Sequence, residues 1–160
     1  MSDSTADLCD AHSEWLQIAE PLLRDFGGRH AFHGRVVTLK LFEDNSLVRS
    51  ALEQTGHGQV LVIDGGGSLR CALVGDQLAA LAQANGWAGI IVNGCVRDTT
   101  ELAQMDIGIK ALAAHPLRSV KRGEGQADVP VRFAGVDFRS GQYVYADSDG
   151  VVVAAQPVER

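Results

Sequence analysis

Three side chains stand out as a candidate set for chemistry: Asp76 and the adjacent pair Arg97 and Asp98. The Asp98 carboxylate offers the hard oxygen ligand that Mg²⁺ or Mn²⁺ prefers, and the planar guanidinium of Arg97 suits a substrate carboxylate. Asp76 lies in segment 75–78, at the start of a predicted helix, where unpaired backbone N–H groups attract carboxylates or phosphates. The alternatives are a helix cap for Asp76 and a surface ion pair for Arg97 and Asp98.

Two predicted strands would bring these residues to one edge of a sheet. QVLVIDGGGS (59–68) is typical of a buried strand that ends in a glycine turn, and AGIIVNG (88–94) is a second buried strand. Between them, DQLAALAQAN has helical spacing and ends at Asn85-Gly86. This order predicts a βαβ unit with a right-handed crossover. Because parallel strands place their functional groups at their carboxyl ends, we expect the helix start, the arginine and the carboxylates to converge on one ligand.

The rest of the chain predicts an α/β fold mixed with β-hairpins, without a fully doubly wound sheet. Beyond Pro116, short alternating runs separated by glycine turns indicate β structure. No repeat or linker divides the sequence, and 160 residues suit a single domain, 1–160. The further predicted elements are helices at 4–20, Ser46–Gln54 and Thr99–Met105, and strands at 34–42 and within 129–138, 142–147 and 150–155.

The other polar motifs are better explained as turns or exposed residues than as catalytic or ligand-binding sites. The run 64–68, Asp-Gly-Gly-Gly-Ser, matches no phosphate-binding signature, so a tight turn is favoured over close approach to a small ligand. His30 and His33 are expected to be exposed, and the acidic loop 43–45 to be a solvated turn, with acid–base chemistry as its alternative. Segment 147–150 lacks the distal glutamate of a calcium loop and predicts a turn. Two aromatic side chains are expected to pack against other residues rather than bind a ligand: Trp15 and Trp87.

Composition indicates a soluble globular protein, with 46% hydrophobic and 21% charged residues. Fourteen basic against twenty acidic residues give a net charge of −6, which argues against direct nucleic-acid binding. Three lysines leave few candidates for Schiff-base chemistry. Cys9, Cys71 and Cys95 form no CxxC pair and are expected to be reduced thiols. Without a signal sequence or an apolar run long enough to span a membrane, we expect a cytoplasmic location.

Six segments of the chain, in order, closely resemble the RraA-like family: FGGRHAFHG, LFEDN, VLVIDGGGSLR, NGWAGIIVNGCVRD, MDIGIKALAAHP and YADSDGVVV. The likeness extends from about residue 5 to about residue 155. The family contains regulators of ribonuclease E activity and class II 4-hydroxy-4-methyl-2-oxoglutarate aldolases. It implies a swivelling β/β/α sandwich in a single domain, assembled as a homotrimer.

The resemblance also implies a site. Aldolases of the family carry an aspartate, twenty intervening residues and then Arg-Asp, and Asp76 with Arg97-Asp98 keeps that spacing; in the regulator, the second aspartate is replaced. Asp98 would then hold the metal cofactor, Mg²⁺ or Mn²⁺, and Asp76 would orient a water beside it. Asp76 and Arg97 would be the catalytic residues. The residues implied to bind the small 2-oxo acid substrate are Gly75, Asp76, Gln77, Leu78 and Arg97.

The activity that this resemblance implies is the cleavage of 4-hydroxy-4-methyl-2-oxoglutarate and related 4-hydroxy-2-oxo acids to pyruvate. Oxaloacetate decarboxylation would share the same pyruvate enolate. The alternative is a non-catalytic inhibitor of ribonuclease E, since an acidic chain suits docking onto a basic, RNA-binding partner. A methyltransferase, a further label within the family, is disfavoured because the sequence lacks a clear Gly-rich nucleotide-binding turn.

Overall fold

A computed structural model describes residues 4–158 of the chain. Within that range, four helices and twelve strands follow one another. The helices are α1 (Thr5–His12), α2 (Ser46–Leu52), α3 (Asp76–Ala84) and α4 (Thr99–Leu102). The strands are β1 (Gln17–Ile18), β2 (Arg24–Asp25), β3 (Phe32–Lys40), β4 (Val60–Asp64), β5 (Ala72–Val74), β6 (Gly89–Val96), β7 (Gly108–Ala114), β8 (Gln126–Ala127), β9 (Val131–Phe133), β10 (Val136–Phe138), β11 (Tyr143–Asp147) and β12 (Gly150–Ala154).

Ten of these strands form one curled sheet. Its order is β1-β12-β11-β3-β4-β6-β7-β2, with β5 paired to the second half of β6 and β8 paired to β3. Its central strands β3, β4, β6 and β7 run parallel, whereas β11, β12, β1 and β2 pair antiparallel at the two sides. The remaining strands, β9 and β10, form a separate antiparallel hairpin.

Apolar side chains cover both faces of the parallel strands, which explains why β4 is buried along its whole length. On one face, β4 and β6 pack against α2, α3 and α4 through residues such as Leu52, Ala79 and Leu102. On the other face, Val62 and Ile91 pack against the β9–β10 hairpin and the inner sides of β11 and β12. The result is the predicted single-domain β/β/α sandwich, and the α/β fold class is confirmed.

The predicted helix 4–20 is wrong in its second half. The Ser4 hydroxyl accepts the Asp7 N–H and starts α1, which ends at His12. The chain then extends, because Gln17 and Ile18 pair with the edge of β12. The backbone therefore leaves the helical path, and Trp15, expected to pack, is 50% exposed.

The predicted strand–helix–strand unit is present, with one addition. β4 and β6 are parallel neighbours, and α3 begins and ends within one residue of its predicted bounds. Between β4 and α3, however, the chain forms β5, whose three residues were too few to give a periodic signal. The helices α2 and α4 end earlier than predicted, at Leu52 and Leu102.

All three cysteines are free, as expected. Burial raises the pKa of each thiol above its usual value, which favours the neutral form. Among the residues from 4 to 158, no helix combines the length and apolar character needed to cross a membrane.

Candidate active site

A cleft of about 330 Å³ opens at the carboxyl ends of β5 and β6. β5 leads through Gly75 into α3, and β6 leads through Arg97 and Asp98 into α4. The Arg97 backbone N–H donates to the Val74 carbonyl at 2.9 Å, which ties the two strand ends together. The six residues predicted for the site all line this cleft: Gly75, Asp76, Gln77, Leu78, Arg97 and Asp98.

Gly75 lets the two strand ends approach closely. A Cβ atom built at this position would lie 2.6 Å from Asp98 Oδ2 and 3.3 Å from the Arg97 Cγ atom. Both contacts are shorter than ordinary van der Waals separations, so a side chain here would displace its neighbours. A glycine is needed here for space, since its φ of −129° is open to any residue.

The Asp98 carboxylate lies against the start of α3. Its Oδ2 atom accepts the Asp76 backbone N–H at 2.9 Å, and the helical ladder begins with the Ala79 N–H donating to the Gly75 carbonyl. Asp98 itself has a left-handed backbone, with φ 59° and ψ 43°, a conformation that aspartate tolerates better than most residues. The family resemblance implies that residues 75–78 receive the substrate carboxylate; in the structure, the Asp76 N–H donates to Asp98.

The two aspartate side chains face each other. Burial is the largest cause that raises the pKa of Asp76, and the adjacent Asp98 carboxyl raises it further by hydrogen bonding and charge. Two carboxylates in contact are a donor set that suits a hard divalent cation. Residues 4–158 contain no group of three or more His, Cys, Asp or Glu that would enclose a metal. A pair of carboxylates is the number of protein ligands that Mg²⁺ often takes while it keeps several waters.

Arg97 lies half-buried beside this pair. Its Nη1 atom is 3.5 Å from the Pro116 carbonyl oxygen, the limit of a hydrogen bond, and its guanidinium forms no ion pair within residues 4–158. The guanidinium therefore keeps most of its donors available for a ligand in the cleft.

A further wall of the cleft was not predicted. It consists of Asn45, Ser46, Arg49, Arg118 and Lys121. The amide of Asn45 donates to the Leu73 carbonyl at 3.0 Å and accepts from the Lys121 ammonium at 3.1 Å. These contacts join a loop, β5 and the segment after β7, which are distant in sequence.

The acidic loop 43–45 holds this wall in place, and its prediction as a solvated turn is wrong. Asp44 is 1% exposed. It accepts hydrogen bonds from the Ser46 N–H and hydroxyl and from the backbone N–H groups of Arg122 and Glu124. Glu43 forms a bidentate ion pair with Arg70, and neither acid lines the cleft. The Asp-x-Ser spacing of an Asx turn was the available signal.

The remaining predicted features are structural. Asp64 accepts the Gly66 N–H and the Asn93 amide, and Gly66 and Gly67 have positive φ, so the glycine run is a tight turn. His30 and His33 are exposed as predicted, with His33 stacked on Tyr145. Segment 147–150 is the turn between β11 and β12. Trp87 is buried and donates to the Gln54 carbonyl.

Comparison with known proteins gives the same family as the segments quoted above. The model of the RraA-like family, described as Aldolase/RraA, matches residues 5–153. The chain is 61% identical to a protein of Alkalilimnicola ehrlichii, over 96% of each chain. It is 58% identical to one of Pseudomonas syringae pv. tomato, over 96% of this chain and 95% of that protein. Both are named "Putative 4-hydroxy-4-methyl-2-oxoglutarate aldolase".

Two solved structures share the fold closely, each with a TM-score of 0.95 and 48% identity. One is described as an S-adenosylmethionine:2-dimethylmenaquinone methyltransferase from Geobacillus kaustophilus, aligned over 98% of this chain and 97% of that one. The other is the RNA-processing inhibitor RraA from Thermus thermophilus, over 99% and 96%. The chain belongs to the RraA-like family, and the predicted resemblance is confirmed.

Proposed function

We propose that this protein is a divalent-metal-dependent class II aldolase that cleaves 4-hydroxy-4-methyl-2-oxoglutarate and related 4-hydroxy-2-oxo acids to pyruvate. It would also decarboxylate oxaloacetate. The observation that carries the proposal is the convergence of Arg97, Asp98 and Asp76 at one helix start, with Asp98 Oδ2 accepting the Asp76 N–H at 2.9 Å. The names of the relatives from A. ehrlichii and P. syringae support the same activity.

Both reactions require stabilisation of the same negative charge. Breaking the C3–C4 bond, or losing CO₂ from oxaloacetate, leaves an electron pair that spreads onto the C2 oxygen of a pyruvate enolate. The Arg97 guanidinium, which has no ion-pair partner among residues 4–158, stabilises that negative charge. Substrate carboxylate groups bind near segment 75–78, where helix N–H groups and Arg97 add positive potential.

Asp98 and Asp76 have different roles in the reaction. Asp98 would hold the divalent cation, which supplies Lewis-acid stabilisation of the enolate oxygen. Asp76 orients a water that relays the C4 hydroxyl proton in the aldol cleavage, while C3 of the enolate gains a proton to give pyruvate. Decarboxylation has no such proton to remove, so it depends less on Asp76.

Removal of the metal ligand tests this function. Purified protein with Mg²⁺ should release pyruvate from oxaloacetate above the rate without enzyme, followed by coupling to lactate dehydrogenase. Asp98→Ala and EDTA should each abolish the release, the latter reversibly, and Arg97→Ala should slow it by about 10²-fold, as loss of one oxyanion donor does. The matched control is Asp149→Ala, which removes an exposed carboxylate outside the cleft. Full activity of Asp98→Ala would contradict the proposal.

A second candidate is an inhibitor of ribonuclease E. It is favoured by the solved RNA-processing inhibitor RraA, which shares 48% identity and a TM-score of 0.95 with this chain. A pull-down with a ribonuclease E scaffold, run beside the pyruvate assay, separates the candidates. Binding without pyruvate release supports the regulator, and both results together support a dual role.

The assembly and location belong to the same proposal. We expect a homotrimer in the cytoplasm, because the family resemblance implies a trimer and the three free cysteines fit a reducing compartment.

A further inference from the structure

The turn that follows β7 lies beside Arg97 and belongs to none of the predicted sites. Arg97 follows the end of β6, and the neighbouring parallel strand β7 ends at Ala114, so the two chains leave the sheet side by side. Residues 115–118, here called the 115–118 turn, reach the Arg97 Nη1 atom through the Pro116 carbonyl oxygen at 3.5 Å. Because the guanidinium forms no ion pair within residues 4–158, the position of this carbonyl limits where the long side chain lies.

The imidazole of His115 closes the 115–118 turn. Its Nδ1 atom accepts the Leu117 backbone N–H at 3.1 Å, so the proton of the neutral ring lies on Nε2. A side chain that accepts the N–H two residues further on is the arrangement of an Asx turn, here with a ring nitrogen in place of a carboxamide oxygen. Pro116 lies between the two residues and has a fixed φ, which leaves the closed turn little conformational freedom.

Two backbone hydrogen bonds anchor the turn on either side of Pro116. The His115 N–H donates to the Val96 carbonyl at the end of β6, at 2.9 Å. The Ala72 N–H at the start of β5 donates to the Leu117 carbonyl at 2.7 Å. These anchors do not involve the imidazole, so loss of the ring would leave the turn attached to both strands. The peptide groups between the anchors, including the Pro116 carbonyl, would then gain freedom.

We propose that His115 is a positioning residue for Arg97: its imidazole fixes the Pro116 carbonyl, and this carbonyl orients the guanidinium towards the enolate oxygen. The role rests on the proposed aldolase function and adds a residue to it. His115 is half-buried and lies outside the lining of the cleft, so it acts through Arg97 and not on the substrate. Its ring serves as a neutral hydrogen-bond acceptor, and neither acid–base chemistry nor metal binding is required of it.

This role has two consequences that a general loss of stability would not have. The enolate charge develops in the transition state, so a misplaced Arg97 lowers kcat more than it raises KM. A different acceptor of similar reach should also replace the imidazole. Asparagine provides one, because its side-chain oxygen accepts the N–H two residues further on in an Asx turn, and Asn-Pro is a favoured start of a turn.

Pyruvate release from oxaloacetate tests the role of His115. His115→Ala should lower kcat by about tenfold with little change in KM, and His115→Asn should recover most of the rate. In an Arg97→Ala background, His115→Ala should cause no further loss, because the residue acts through that guanidinium. The matched control, His30→Ala, removes an exposed histidine outside the cleft and should keep the full rate. An unchanged kcat in His115→Ala, an asparagine variant as slow as the alanine variant, or additive losses in the double variant would overturn the role.

Binding of oxalate separates failure of this role from failure of the proposed function. Oxalate is planar, carries negative oxygens on adjacent carbons as the pyruvate enolate does, and binds without turnover. Isothermal titration calorimetry with Mg²⁺ should show affinity reduced by about 10- to 100-fold in Arg97→Ala, by about fivefold in His115→Ala and hardly at all in His115→Asn. This order without pyruvate release would support the role of His115 and contradict the aldolase. Pyruvate release with equal oxalate affinity in the wild type and His115→Ala would support the aldolase and contradict the role, and absence of both binding and release would contradict both.

Discussion

At the scale of single residues, Gly75 determines where the Asp98 carboxylate can lie. A Cβ atom on Gly75 would be 2.6 Å from Asp98 Oδ2. Gly75→Ala should push the Asp98 carboxylate away and slow pyruvate release by about 10²-fold, since small displacements of reacting groups have effects of this size. Thermal unfolding should change little, because the displaced atom is a terminal side-chain oxygen rather than backbone, and only its hydrogen bond with the Asp76 N–H is disturbed.

The control for this variant is Gly150→Ala, whose new Cβ would meet no atom within 4 Å. It should keep full activity in the same assay. Normal activity of Gly75→Ala would mean that the position of the Asp98 carboxylate does not matter for turnover.

The order of strands and helices along the sequence predicted the part of the cleft formed by residues 75–78, 97 and 98. Asp76 and Asp98 each follow a strand end, so a parallel sheet brings them together, and the sequence indicated this convergence. The basic residues on the other wall of the cleft gave no such signal, because Arg49 and Arg118 come from segments about 70 residues apart that meet through β5. Contacts of that kind depend on tertiary packing, which periodicity does not encode.

At the scale of elements, the Asp44 carboxylate joins the start of α2 to segment 119–125. Burial alone would raise the pKa of this group, but hydrogen bonds from Ser46, Glu124 and Arg122 outweigh it and lower the pKa from 3.8 to about 2. Because the folded value is the lower one, ionised Asp44 stabilises the fold above about pH 4, and this stabilisation is lost as the pH falls towards 2.

Asp44→Asn should therefore lower the free energy of unfolding by about 2 kcal/mol at pH 7, the equivalent of that pKa shift. The difference from the wild type should shrink as the pH falls below 4. Urea unfolding at pH 7 and pH 3 measures both, with the exposed Asp149→Asn as the matched control. A difference that does not depend on pH would show that Asp44 acts through shape rather than charge.

Elements with strong periodicity were predicted well, and short ones were not. The apolar runs of β4 and β6 were predicted because both faces of a parallel sheet are buried. The strand β1 has two residues and forms by pairing with β12, so no local pattern distinguishes it from the end of α1.

At the scale of the whole molecule, one apolar surface remains uncovered. Phe42, Leu117 and Val120 are 58%, 59% and 47% exposed. Phe42, Leu117 and Val120 line one hollow beside the cleft. Exposed apolar patches of this kind mark contact surfaces between proteins, and the expected trimer would cover this one.

Leu117→Glu should therefore weaken the trimer, because it places a charge in an apolar contact. Sedimentation velocity should show a trimer for the wild type and a shift to monomer for the variant. Leu22→Glu changes a leucine that is 51% exposed and does not line this hollow, and it should leave assembly intact. A monomeric wild type would contradict the trimer.

The short strip from Pro116 to Lys121 borders both the cleft and this hollow, with Arg118 and Lys121 lining the first and Leu117 and Val120 lining the second. A neighbouring subunit seated on its leucine and valine would immobilise the backbone that carries its two cations. Subunit association and ligand binding in the cleft would then be thermodynamically linked: dilution that separates the subunits would also weaken ligand binding, and saturation with a ligand would favour assembly.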